Sequence, residues 1–71
     1  MPDDIPMHSV TSSNVKALGH DGKDLIVTFI AGRSYRYLDV PESLLMDGLG
    51  APSVGKWLNL AIKPAYRAKA I

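Results

Sequence analysis

The chain has 71 residues, 46% of them hydrophobic and 21% charged, with no cysteine and a formal net charge of +1. This length supports one domain with one small core, burying roughly 60% of the unfolded surface, and without thiols neither disulfides nor a thiolate metal site can staple it. No apolar run approaches the ~18 residues of a membrane span, and Met1-Pro2-Asp3-Asp4 is acidic with no apolar segment behind it, unlike a secretory leader; a cytoplasmic protein is expected.

Residues 1–8, with two prolines and two acids, read as a flexible arm. Ser12 to Leu18 is a short polar-apolar strand that ends in Gly19-His20-Asp21-Gly22-Lys23, where Asp-Gly signals a hairpin. Asp24 to Ile30 is rich in β-branched residues and is the strongest strand. A period of two puts Leu25, Val27 and Phe29 on one face and Ile26, Thr28 and Ile30 on the other. Neither face is strongly polar, which predicts a central position. Ala31 to Ser34 reads as a second tight turn. Tyr35-Arg36-Tyr37-Leu38 follows as a third strand with both tyrosines on one face, and the short loops predict an antiparallel meander.

At Asp39 the period changes. Asp39-Val40-Pro41-Glu42 predicts a helix start with Asp39 as N-cap and Glu42 three residues on. Leu44, Leu45 and Leu49 share a face, and Gly48 and Gly50 limit the run. Pro52-Ser53 restarts the chain with Ser53 as a second N-cap. Val54, Trp57, Leu58, Ala61 and Ile62 then form an apolar stripe, with Lys56, Asn59 and Lys63 opposite and Leu60 beside them. Pro64 stops or kinks this helix. The order β-β-β-α-α predicts an α+β fold, a three-stranded antiparallel meander with two short helices packed on one face. The expected domain spans 9–67, between the arm and a basic tail at 68–71.

The chemistry of catalysis is absent from this pattern. His8 and His20 are the only imidazoles and have no metal-ligand spacing, and a zinc site needs about four ligands. Glu42 is accounted for by helix capping. Asp21 and Asp24 flank a turn, where aspartate bonds nearby amides. Ser12-Ser13 lacks a nucleophile-elbow context, and the glycines form no Walker or dinucleotide loop. No enzyme, metal or cofactor is expected.

Charge is unevenly distributed. Residues 1–47 hold four bases against all seven acids, a net of −3, whereas 48–71 hold Lys56, Lys63, Arg67 and Lys69 with no acid, a net of +4. Such asymmetry is a hint of contact with nucleic acid or an acidic partner; chance segregation in a short chain is the plainer reading. Aromatics on a sheet can stack unpaired bases while Lys and Arg neutralise phosphates. Tyr35 and Tyr37 fit that role or a half-buried core role, and Trp57, centred in the apolar stripe, is a core residue.

Taken in order, Ser12-Ser13-Asn14-Val15, Gly19-His20-Asp21, Leu25-x-Val27-x-Phe29, Gly32, Tyr35-x-Tyr37, Val40-Pro41, Ala51-x-Ser53-x-Gly55-Lys56, Asn59, Ile62-Lys63 and Tyr66 resemble a KTSC domain. That small domain is named for its place at the C-terminus of some lysyl-tRNA synthetases, and it also occurs alone as a bacterial or phage protein. The resemblance covers residues 9–67. Two positions depart from it: His20 stands where the family commonly has Tyr, and Trp57-Leu58 where it favours Tyr-Phe. The resemblance implies a small α+β fold, and the synthetase association suggests RNA binding.

The reading is therefore a non-enzymatic binding module for RNA or another nucleic acid. Lys56, Lys63 and Arg67 would meet phosphates, Arg36 and Asn59 would add hydrogen bonds, and edges of Tyr35, Tyr37 and Tyr66 would stack bases. The alternative is a protein-interaction module, a phage or mobile-element factor that binds a host protein or self-associates through the basic tail or Leu60.

Overall fold

The computed structural model describes residues 5–71. Its centre is strand β3 (Leu25–Phe29), flanked by β2 (Val15–His20) and β4 (Ser34–Tyr37) in the expected meander. Leu25 and Val27 are fully buried on one face and Ile26 is 5% exposed on the other, as a central strand requires. The sheet nevertheless has five strands where three were expected. Met7–Ser9 forms β1 against β2, and Ala68–Ala70 closes the sheet as β5 against β4, all neighbours antiparallel. Both edge strands lie in segments expected to be an arm and a tail; residues 1–4 of that arm lie outside the described residues. Each edge strand is three residues long and exposed throughout, so it buries no side-chain stripe. What draws it in is the unpaired backbone edge of β2 or β4.

Helix α1 (Glu42–Leu49) and helix α2 (Val54–Trp57), which runs on as a π-helical segment (Leu58–Ile62), lie over one face. Leu45, Val54, Leu58 and Ile62 pack there with Val15, Leu18, Val27 and Tyr37. Val15 and Leu18 both reach this core although they are three apart, because the register shifts between Val15 and Ala17 and leaves Lys16 as the extra, exposed residue of a bulge. Gly48 lets the helices touch: a Cβ there would sit 2.6 Å from the Trp57 ring.

The helix boundaries confirm one cap and correct the other. Ser53 Oγ accepts the Lys56 N–H at 3.4 Å, as expected of an N-cap. Asp39 does not cap α1. It sits in the left-handed region at φ +56° and donates its N–H to Asp24 Oδ1 at 2.9 Å. Pro41 precedes the helix without a side-chain cap, since a residue before proline is driven out of the helical region and the helix can begin only after it. Pro64 also acts locally. It has no N–H to offer Leu60, and the helix widens so that the Lys63 N–H reaches Leu58 O at 2.9 Å. No helix among the described residues is long and apolar enough to cross a membrane.

Candidate nucleic-acid interface

The far end of β3 meets the start of α2. Ser12 Oγ accepts the N–H groups of Asn14 and Val15 at 3.4 and 3.3 Å and donates to Asn14 Oδ1 at 3.1 Å. This small turn is tied to β3 by the Ile30 N–H, which donates to Asn14 O at 2.9 Å. Gly55, in the first turn of α2, lies directly against it, so a Cβ at that position would stand 2.8 Å from Asn14 Oδ1. The β3–β4 turn is closed by Phe29 N–H to Arg33 O at 2.8 Å and Gly32 N–H to Phe29 O at 2.9 Å, with Gly32 at φ +100° where a side chain would be strained.

Two rings stand at this end. Phe29 and Tyr35 meet edge to face, centroids 5.8 Å apart at 78°. The Lys63 ammonium lies 5.9 Å from the Phe29 centroid, within cation–π reach. The rings form one wall of an open cleft of about 510 Å³, completed by Ser13, Asn14, Ile30 and Arg33. The wall is mainly apolar, and among the described residues no carboxylate lines it. A smaller hollow of about 370 Å³ shares Arg33 and Tyr35 on the side of Ala70 and Ile71.

The structure divides the residues chosen from sequence. Lys56, Asn59 and Lys63 are exposed on the outer helix face, with Leu60 78% exposed among them. Tyr35 lines the aromatic cleft and Lys63 reaches its Phe29 ring, while Lys56 is exposed beside Gly55, which packs on Asn14. Tyr37 does not join them. It is 3% exposed within the core, where burial and then the neighbouring Tyr35 push its phenol pKa up, and it offers no free ring face. Tyr66 is half-buried against the same core. Arg67 lies toward the other end of β4: its carbonyl accepts the Leu38 N–H, whereas the cleft's Tyr35 pairs with Ala70.

Arg36 alternates to the sheet's opposite face and is engaged there. Its guanidinium donates to Asp24 Oδ2 at 3.0 Å and to Asp21. Asp21 also accepts the N–H groups of Asp24 and Lys23, and these amides, with Arg36, hold its carboxyl far below the usual carboxylate range. Arg36, read as a ligand-binding group, is thus part of an internal ion-pair cluster. His20 belongs beside it. The buried ring accepts the Gly22 N–H at Nδ1 (3.0 Å), which leaves the proton on Nε2, facing Val40 O. The departure from the family pattern at His20 therefore concerns a buried link between hairpin and helix, not an exposed surface.

Phe29, Arg33 and Asn14 were not among the residues chosen. The period of two places Phe29 on the core face with Leu25 and Val27, and its position at the strand's end is what leaves it half-buried. The turn signal at 31–34 accounts for Arg33 without pointing to a cleft. The usable signal was the recurrence of Asn14, Gly55 and Lys63 in one ordered pattern.

The KTSC domain family model matches residues 11–66. A protein of Tsukamurella paurometabola is 37% identical over 67 residues, covering 92% of this chain and all of its own length. An uncharacterized protein of Stutzerimonas stutzeri is 35% identical over 60 residues, covering 82% and 84%. The crystal structure of a KTSC domain protein from Yersinia pestis superposes with a TM-score of 0.84 at 28% identity, over 94% of this chain and 97% of that one. Matched in sequence over most of its length and in fold over nearly all of it, the chain belongs to the KTSC domain family.

Proposed function

We propose that this chain is a small non-enzymatic cytoplasmic module that binds single-stranded RNA or a similar nucleic acid at the Phe29–Tyr35 end of its sheet. The observation that carries this reading is the Lys63 ammonium poised at the Phe29 ring beside an apolar cleft that holds Arg33 and, among the described residues, no carboxylate. Unpaired bases stack on aromatic rings while cations track the phosphates. Lys63, Lys56 and Arg33 supply the charge, Asn59 adds a donor and acceptor on the same helix face, and Tyr35 with Phe29 supplies the stacking wall. Tyr37 and Arg36 take no part.

Three phosphate contacts on a single strand give a log–log salt slope of about −2, so affinity falls roughly 15-fold between about 50 and 200 mM salt. Fluorescence anisotropy of a labelled single-stranded dodecamer at those two salt levels tests this. Binding that weakens with salt and is lost in Lys56→Glu/Lys63→Glu supports the reading; no binding at low salt, or binding indifferent to the double substitution, contradicts it.

A second reading rests on Ile30 and Leu60, 56% and 78% exposed near the same surface. Exposed apolar side chains beside lysines suit a protein partner or a second copy. Light scattering that reports a dimer abolished by Leu60→Ser would favour it; a strict monomer would not.

A further inference from the structure

The charged group lining the cleft, the Arg33 guanidinium, is a pure donor, while Ser13, Asn14 and Tyr35 add neutral polar groups. Ser12 Oγ already accepts two backbone N–H groups, so its own proton goes to Asn14 Oδ1. That bond orients the Asn14 carboxamide: one lone pair of the oxygen is engaged by Ser12, and the NH₂ has no hydrogen-bond partner among the described residues. Three backbone carbonyls here each accept one bond already. Asn14 O accepts from Ile30, Phe29 O from Gly32, and Arg33 O from Phe29, at 2.8–2.9 Å. The Arg33 guanidinium, exposed and without an ion-pair partner among the described residues, is a fork that only donates.

Purines differ in what they present to such a lining. Guanine sets two acceptors, O6 and N7, side by side; adenine sets the N7 acceptor beside the N6 donor. Asparagine reads adenine with its oxygen and nitrogen together, and here the Ser12 bond ties the oxygen to the turn and leaves the NH₂ as the freer group. Resting on the nucleic-acid reading above, we propose that the cleft prefers an unstacked guanine to adenine. Arg33 meets O6 and N7, Asn14 Nδ2 adds a donor to the acceptor edge, and Phe29 and Tyr35 flank the ring.

The test uses oligouridine dodecamers carrying one central guanine, inosine, adenine or 7-deazaguanine, titrated against the full chain by anisotropy at low salt. Guanine and inosine strands should bind on the order of tenfold tighter than adenine, and 7-deazaguanine, which lacks the N7 acceptor, should fall toward adenine. Arg33→Lys, which keeps the charge and loses the fork, should erase the preference of the cleft for guanine over adenine. Equal affinity for guanine and adenine strands overturns the guanine reading and leaves nucleic-acid binding standing. So does a preference that survives 7-deazaguanine or Arg33→Lys. Failure of every strand to bind overturns both readings.

Discussion

The two ends of β3 hold similar residue types in opposite states. At the Leu25 end, Asp21 and Asp24 neutralise Arg36, Asp24 also fixes the backbone of Asp39, and Lys23 lies 3.8 Å from the Asp39 carboxylate. At the Phe29 end, Lys63 and Arg33 stand beside two rings, with no carboxylate among the described residues of the cleft wall. Arg33 and Arg36 are three residues apart, yet Arg36 is held by two carboxylates within β4 and Arg33 is exposed in the turn before it. Charge counted along a chain therefore says less than where the fold places each side chain. The first end should set stability and the second should set binding.

That division is open to attack by substitution. The largest effect is expected from Asp24→Ala, which removes the acceptor of the Asp39 N–H and one of two partners of Arg36. Asp24 is 7% exposed, and losing buried bonds to a charged group costs roughly 2–3 kcal/mol. Thermal denaturation should give a Tm lower by roughly 10–20 °C, with the affinity of the remaining folded protein unchanged. A loss of affinity at intact folding would break the comparison. Lys63→Glu should do the reverse, weakening oligonucleotide binding about tenfold or more through like-charge repulsion while moving stability by less than about 0.5 kcal/mol, as an exposed substitution does.

Gly55→Ala sharpens the contrast further. The new methyl would press on Asn14 Oδ1, which Ser12 holds in place, so the Asn14 side chain in the cleft wall must move off Gly55. Alanine favours the helix by up to about 1 kcal/mol over glycine. Stability should thus stay nearly level while binding falls a few-fold. The smallest effect is with pH. The Asp21 carboxyl titrates lower in the folded chain than in the unfolded one, so its contribution is complete at neutral pH and drains away as pH falls below about 4. Acid denaturation followed by circular dichroism should show a shallower loss of stability across that window in Asp21→Asn than in the parent chain.

Much of the scaffold is legible in the sequence because it depends on periodicity. The alternation of Leu25 to Phe29, the stripe from Val54 to Ile62 and the Ser53 cap all carry local signatures that tertiary packing left intact. Met7–Ser9 and Ala68–Ala70 carry none, since their pairing answers to edges made elsewhere in the chain. The Asp39 cap failed because a long-range bond from its N–H to Asp24 competed with the local one. At the site, the exposed lysines followed from the helix stripe. The same alternation that put Tyr35 and Tyr37 together also sent Arg36 to the far face, away from them. What lay beyond periodicity was the meeting of Asn14 with Gly55 and of Phe29 with Lys63, contacts between segments distant in sequence.

The central claim is that binding belongs to one end of the sheet. A ¹⁵N-labelled chain titrated with a guanine-containing single-stranded dodecamer measures this directly through amide chemical shifts. The account predicts shifts concentrated at 12–14, 29–35 and 55–63, with residues 20–24 silent. Shifts centred on the Asp21–Asp24 hairpin and Arg36, or no shifts at low salt, would contradict it.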